Sequence, residues 1–142
     1  MITTSSIALL ASPFAGWIVA QFLKFIFTLR KDGISLQDAI QSGGMPSSHS
    51  AISSSLATAV GVTQGISSVS FAITVAFTAI VVYDALGVRR TTGEQTIALQ
   101  QLAKKNNMKS FRIHDARGHT PMEVFAGLVV GVITGILTVV IL

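Results

Sequence analysis

Four apolar stretches dominate the chain and leave only polar connections between them. They cover about residues 7–29, 47–64, 69–86 and 122–142. A helix needs about 20 residues to cross the hydrocarbon core of a membrane. Only 11% of the 142 residues are charged, whereas a soluble domain carries about 25%. The sequence therefore predicts an all-α integral membrane bundle of about four transmembrane helices, forming a single domain over residues 1–142.

The second stretch is the least apolar, because hydroxyl groups interrupt it at Ser53, Ser54, Ser55 and Thr58. Small residues let membrane helices approach closely, so this helix is predicted to lie at the centre of the bundle. The last stretch carries regularly spaced small residues, Gly127, Gly131 and Gly135. Their spacing predicts close packing, either within the chain or across a homodimer.

Basic residues outside the apolar stretches are confined to two connections. The first connection holds Arg30 and Lys31, and the third holds Arg89, Arg90, Lys104, Lys105, Lys109, Arg112 and Arg117. By the positive-inside rule these connections are cytoplasmic and both termini lie outside. Within the third connection, about residues 94–105 are predicted to form a cytoplasmic amphipathic helix in the membrane interface. A capping pattern that starts at Ser35 predicts a further short helix.

Two polar turns on this side each place a histidine at the start of an apolar stretch. The first turn reads GGMPSSHS over residues 43–50. Ser47 or Ser48 can cap the following helix, and the unpaired amides of a helix start bind phosphate oxygens readily. His49 would face such an anion from the first helical turn. A capped helix start with an interfacial histidine explains the same residues equally well.

The second turn reads GHTPME over residues 118–123, with His119 four residues before Glu123. On a continuous helix these side chains share a face. A carboxylate bonded to one imidazole nitrogen makes the other nitrogen a better nucleophile. Thr120 and Glu123 also form a capping box around Pro121, so Glu123 could serve only as a cap. The two roles are compatible.

Further charged residues lie near the same membrane face. Lys24 follows Gln21 on one face of the first stretch. A lysine at this depth can snorkel to the surface. It can also pair inside the bundle with Asp84, near the end of the third stretch, or one of the two residues can bind a ligand. Arg89 and Arg90 could clamp a phosphate in a bidentate manner, although positive-inside anchoring explains one of the two.

The composition excludes several classes of function. The absence of cysteine excludes disulfides, thiol catalysis and iron–sulfur clusters. The chain lacks an arginine-rich stretch with interleaved aromatic residues, so nucleic acid is not an expected partner. The histidines and carboxylates lack a dense metal-ligand spacing, so neither a metal nor another cofactor is expected. Two histidines on one face of a membrane instead suggest proton and phosphoryl chemistry at a lipid–water boundary.

These motifs resemble the divergent branch of the phosphatidic acid phosphatase type 2 superfamily, also described as acid phosphatase/vanadium-dependent haloperoxidase-related proteins. The resemblance is carried by Gln21 and Lys24, by GGMPSSHSA at 43–51, by YDALGVRR at 83–90 and by GHTPMEV at 118–124. These motifs occur in order across nearly the whole chain.

The resemblance implies metal-independent phosphoryl transfer. Carried over by position, His119 is the nucleophile and Glu123 orients it, with glutamate where the wider superfamily has aspartate. His49 is the general acid that protonates the leaving oxygen. Lys24, Ser48 and the region of Ser47 contact the phosphate.

Three departures separate the chain from the superfamily pattern. The superfamily's first motif has six residues between its lysine and an arginine-proline pair, whereas five separate Lys24 from Arg30 and no proline follows. Ser48 replaces the glycine before the second-motif histidine. An arginine that lies six residues before the last histidine is replaced by Ile113, and Arg89 or Arg90 is expected to take over its task.

The sequence thus favours a membrane phosphatase that hydrolyses a phosphomonoester or diphosphate of a lipid on the cytoplasmic side. The alternative is a non-catalytic protein of the same fold that binds an anionic lipid or phosphate. A third option is a metal-assisted hydrolase using Asp84, Glu123 and the histidines. Membrane lipids are expected partners. Because four short spans barely enclose a site, a homodimer is one option for the assembly.

Overall fold

The computed structural model describes residues 4–29, 44–106 and 119–142. These ranges form five helices, α1 (Thr4–Leu29), α2 (Ser48–Gln64), α3 (Val69–Leu86), α4 (Val88–Lys105) and α5 (Pro121–Ile141). They contain no strand, and the all-α prediction is confirmed. The short helix predicted from Ser35 lies outside the described residues.

Three stretches of the described residues are long and apolar enough to cross a membrane, namely Ser5–Thr28, Val69–Lys105 and Pro121–Ile141. Helix α2, the remaining predicted span, has 17 residues, somewhat fewer than the roughly 20 that a full span requires. It contacts α1, α3 and α5, and its serines are buried. The membrane bundle therefore has a short, polar helix at its centre, as the serine content predicts.

The glycines of α5 lie on the face that packs against α2. A Cβ atom at Gly127 would overlap the backbone carbonyl of Ser47, and one at Gly131 would overlap the hydroxyl of Ser54. At Gly135 a Cβ atom would lie only 2.6 Å from the carbonyl oxygen of residue 55. These small residues therefore serve close packing within the chain, which settles the choice that the sequence left open.

Hydroxyl groups of α2 bond to the helices on either side. Ser55 donates to the backbone carbonyl of Ser12 in α1 over 2.7 Å. The hydroxyl of Ser54 is shared between the carbonyl of Ser50 in its own helix, over 2.7 Å, and that of Leu128 in α5, over 3.2 Å. A buried hydroxyl without a partner costs about 1–3 kcal/mol. These bonds remove that cost and join α1, α2 and α5 at fixed positions along their axes.

Helices α3 and α4 lie at the periphery. Ala85 is the buried residue of α3, and the backbone N–H of Gly87 donates to the carbonyl of Tyr83 over 2.8 Å. Helix α4 begins at the next residue, which is earlier than the predicted amphipathic helix. Arg89 and Arg90 therefore lie in a helical turn and not in a loop. The location of α4 in the membrane interface stays a prediction.

Candidate active site

Three helix ends meet at one end of the bundle. The backbone N–H of Ser47, just before α2, donates to the carbonyl of Glu123 in the first turn of α5 over 2.9 Å. The hydroxyl of Ser48 donates to Oε1 of Gln21, near the end of α1, over 3.2 Å. Both histidine-bearing turns therefore lie side by side, next to the end of α1.

His119 and Glu123 contact each other through their side chains. Nδ1 of the imidazole lies 3.2 Å from Oε2 of the carboxylate, four residues along the chain. The imidazole is buried. A carboxylate at one ring nitrogen fixes the tautomer and the orientation of the ring. The second nitrogen, Nε2, then carries the lone pair and is directed away from Glu123.

The same carboxylate oxygen also caps α5. Oε2 of Glu123 accepts a hydrogen bond from the backbone N–H of Thr120 over 3.0 Å, and the Thr120 hydroxyl accepts one from the backbone N–H of Glu123 over 3.4 Å. This is the capping box that the sequence predicts. One oxygen atom therefore has both of the roles between which the sequence left a choice.

Ser47, and not Ser48, is the residue that caps α2. Its fully buried hydroxyl accepts hydrogen bonds from the backbone N–H of Ser50 over 3.5 Å and from the Ser50 hydroxyl over 3.1 Å. Ser48 is buried as well, with its hydroxyl on Gln21. His49 lies in the first turn of α2 and has an exposed side chain. Two buried serines thus fix the helix start that carries an accessible imidazole.

Lys24 is buried beside this cluster, with only 7% of its surface exposed. Its side chain therefore does not reach the surface as a snorkelling lysine would. Its Cγ atom lies 3.9 Å from the position that a Cβ atom at Gly44 would occupy. Because Gly44 has a φ of +85°, a conformation that favours glycine, the turn can pass closely over the lysine.

A family model described as the divergent PAP2 family matches residues 6–134, a range that includes all of the residues above. The chain belongs to the divergent PAP2 family. It is 35% identical to the uncharacterized membrane protein YuiD of Bacillus subtilis (strain 168), over 87% of this chain and 89% of that relative. No solved structure matches it. The family resemblance inferred from the motifs is therefore confirmed.

Three further predicted site residues of this divergent PAP2 protein lie on α3 and α4. Asp84 is half-buried near the end of α3. A Cβ atom at Gly61, near the end of α2, would contact the ring of Phe71 near the start of α3. These helices are therefore antiparallel, and Asp84 lies at the same end of the bundle as Ser48. The backbones of Arg89 and Arg90 lie in the first turn of α4, and their side chains are outside the described part.

The side chains that meet in this divergent PAP2 protein include a histidine, a carboxylate and a lysine. Within residues 4–29, 44–106 and 119–142, no three His, Asp or Glu side chains are placed to hold a metal ion. The structure instead brings together an imidazole oriented by a carboxylate, a buried ammonium group and the start of α2. An oriented imidazole can act as a nucleophile, and fixed positive groups stabilise phosphoryl oxygens.

Gln21 is the site residue to which the sequence assigned no function. Its side-chain amide accepts a hydrogen bond from Ser48, and Gln21 lies on the same face of α1 as Lys24. The sequence contained a signal for it, since a polar side chain inside an apolar span is costly unless it has a partner. The identity of that partner depended on the packing of α1 against α2.

Proposed function

We propose that this protein is a membrane lipid phosphatase that hydrolyses a phosphomonoester or diphosphate of a lipid. Phosphatidate, phosphatidylglycerophosphate and polyprenyl diphosphates are the substrates to test. The observation that carries the proposal is the 3.2 Å contact between Nδ1 of His119 and Oε2 of Glu123. This pair orients a nucleophilic nitrogen at the end of a membrane bundle, beside a buried lysine.

The reaction has two steps. Nε2 of His119 attacks the terminal phosphorus, a nitrogen–phosphorus bond forms, and the bond from this phosphorus to the leaving oxygen breaks. The leaving oxygen is the lipid oxygen of a monoester or the bridging oxygen of a diphosphate. Protonated His49 gives its proton to that leaving oxygen. Water then attacks the phosphohistidine, its proton passes to His49, and inorganic phosphate leaves. Throughout, Glu123 stays bonded to Nδ1 and stabilises the positive charge of the ring.

Positive groups surround the transferred phosphoryl group in this proposal. Lys24 provides a charge from α1, the arginines provide a bidentate clamp from α4, and the start of α2 adds backbone amides. Such groups stabilise the equatorial oxygens during in-line transfer. The proposed substrate-binding set is Lys24, Ser47, Asp84, Arg89 and Arg90, together with Ser48, which takes part by positioning Gln21 because its hydroxyl hydrogen is bonded there.

A groove between α2, α3 and α5 supports a lipid substrate. It has a volume of about 390 Å³ and is lined mainly by apolar side chains, among them Ala57, Val75 and Leu128. The three helices that form it also begin or end at the candidate site. The hydrocarbon part of the substrate lies between helices, and the phosphate lies at their cytoplasmic ends, where positive charge is concentrated.

Phosphate release from purified full-length protein tests the proposal. The lipids named above are supplied in mixed micelles with EDTA present. Wild-type protein releases phosphate, and His119→Ala does not. Ser67→Ala, in the turn at the opposite end of the bundle, keeps the wild-type rate. No release from wild-type protein, or equal release from His119→Ala, contradicts the proposal.

The second candidate function is non-catalytic binding of an anionic lipid or phosphate. The departure in the first motif favours it, because five residues instead of six separate Lys24 from Arg30 and no proline follows. The retention of both histidines and Glu123 argues against it. Tight lipid binding without turnover, unaffected by His119→Asn, identifies this function. Activity that EDTA abolishes and a divalent ion restores identifies metal-assisted hydrolysis instead.

A further inference from the structure

Gln21 is a polar residue inside the membrane-spanning stretch Ser5–Thr28. Its side chain is half-buried, and its Oε1 accepts the hydrogen bond of the Ser48 hydroxyl over 3.2 Å. Polar side chains inside membrane spans are costly and commonly belong to functional sites. The reaction steps above do not use Gln21.

The bond to Ser48 sets the orientation of the amide. A glutamine side chain has one acceptor oxygen and one NH₂ group, which carries two donors. With the oxygen on Ser48, the NH₂ group occupies the other branch of the planar amide. The single hydroxyl hydrogen of Ser48 is used in the same bond. The donor that this pair offers to an anion is therefore Nε2 of Gln21.

Joining α1 to α2 does not require a glutamine. Deeper in the bundle, Ser55 of α2 makes such a connection by donating to the backbone carbonyl of Ser12 in α1 over 2.7 Å. A backbone carbonyl of α1 could accept the hydrogen bond of Ser48 in the same way. A glutamine side chain is therefore not needed for packing, and burying its amide costs free energy of desolvation. What the amide adds is a pair of N–H donors near Lys24.

We infer that Nε2 of Gln21 binds an oxygen of the substrate phosphate and that Ser48 is the positioning residue that orients this amide. Lys24, on the same face of α1 one turn later, is its charged neighbour. The inference rests on the proposed function only for the identity of the anion as a lipid phosphate. The amide of Gln21 would be an uncharged donor in addition to the backbone amides at the start of α2. The site has isoleucine at position 113, where the superfamily has arginine.

Binding of inorganic phosphate to the full-length protein tests this inference without turnover. Isothermal titration with EDTA present measures Kd for wild type, Gln21→Glu and Gln21→Met. Glutamate keeps an acceptor for Ser48 but has no N–H donor, whereas methionine keeps neither group. We expect Kd for phosphate and KM for the lipid to rise about 10- to 100-fold in Gln21→Met, the range for a lost hydrogen bond to a charged group. They should rise further in Gln21→Glu, which also places a negative charge beside the phosphate. The rate constant kcat changes less.

Stability separates binding from packing. Gln21→Met loses the bond to Ser48, so its unfolding temperature is expected to fall about as much as that of Ser55→Ala, which loses one comparable bond. Ser55→Ala is the matched control, since it removes an α2–α1 hydrogen bond away from the site. It lowers the unfolding temperature and leaves Kd for phosphate unchanged. Ser48→Ala raises Kd less than Gln21→Met does, and adding it to Gln21→Met causes no further rise.

The outcomes of the two proposals are distinguishable. A wild-type Kd in Gln21→Glu shows that the glutamine only joins two helices, and it overturns the inference. Absence of phosphate binding by wild-type protein overturns it as well. Phosphate binding that depends on Gln21, without lipid hydrolysis, supports the inference and contradicts the proposed function. Lipid hydrolysis with a KM that does not change in the Gln21 variants supports the proposed function and contradicts the inference.

Discussion

Glu123 contacts His119 through the same carboxylate oxygen that caps helix α5. Oε2 lies 3.2 Å from Nδ1 of the imidazole and 3.0 Å from the backbone nitrogen of Thr120. The orientation of the proposed nucleophile is therefore coupled to the start of the helix. Substitutions at Glu123 and Thr120 can separate these two effects.

Glu123→Gln is expected to impair catalysis much more than folding. Capping boxes accept either Glu or Gln, so the cap is retained. The neutral amide no longer stabilises a positively charged imidazole, and kcat for lipid hydrolysis should fall by about 10²- to 10⁴-fold. Steady-state phosphate release and thermal unfolding measure the two effects.

Thr120→Ala is the control for this comparison. It removes the hydroxyl that accepts from the backbone N–H of Glu123 and should lower the free energy of unfolding by about 1 kcal/mol. The contact between His119 and Glu123 remains, so kcat should stay close to that of wild type. Equal losses of kcat in the two variants would mean that Glu123 acts only as a cap.

His49→Gln should show a rate that depends on the leaving group. A lipid alkoxide needs a proton as it leaves, so loss of the general acid should slow lipid hydrolysis by about 10²- to 10⁴-fold. p-Nitrophenolate leaves without a proton, and hydrolysis of p-nitrophenyl phosphate should be nearly unchanged. His119→Ala should lose both activities. If His49→Gln loses both equally, His49 is not the acid.

Gly131→Ala should destabilise the bundle. The added methyl group would overlap the hydroxyl of Ser54 and the carbonyl of Ala51, and overpacking of this kind costs about 1–3 kcal/mol. Val129→Ile adds one carbon at an exposed position of the same helix and should change stability by less than about 0.5 kcal/mol. Unfolding in detergent by heat or denaturant measures both. Equal stabilities would contradict the close α2–α5 packing.

Cysteine labelling tests which side of the membrane carries the site. The chain contains no cysteine, so Ser67→Cys and Asn106→Cys each provide a single thiol. These residues are exposed, at the α2–α3 turn and at the end of α4. A membrane-impermeant maleimide should label Ser67→Cys on intact cells and Asn106→Cys only after permeabilisation. The opposite pattern would place the site outside.

Local sequence signals predicted much of the bundle. The hydroxyl-rich second stretch indicated a central helix, and the threonine, proline and glutamate of residues 120–123 indicated the start of α5. Both features depend on short-range patterns, since small residues permit close packing and a capping box fits within one turn. The motifs around the two histidines were also sufficient to indicate the family.

Contacts between helices were harder to predict. The sequence offered Asp84 as a partner for Lys24 on the basis of depth, and the partner of this buried lysine stays a prediction. The rotation of α1 about its axis decides this contact, and hydropathy does not encode that rotation. The bond between Gln21 and Ser48 depends on the same rotation. The predicted start of α4, at about residue 94, was six residues too late. The helix begins at Val88 and continues through Gly93, a residue that commonly marks a helix end.

The hydrogen bond between residues 47 and 123 joins main-chain atoms, so no particular side chain encodes it. Among the natural amino acids, only proline at position 47 would remove its donor. Evolution can therefore replace neighbouring functional groups while both imidazole-bearing segments keep their alignment. The alignment of the two turns is thus a property of the main chain, separate from the chemistry of the side chains that it carries.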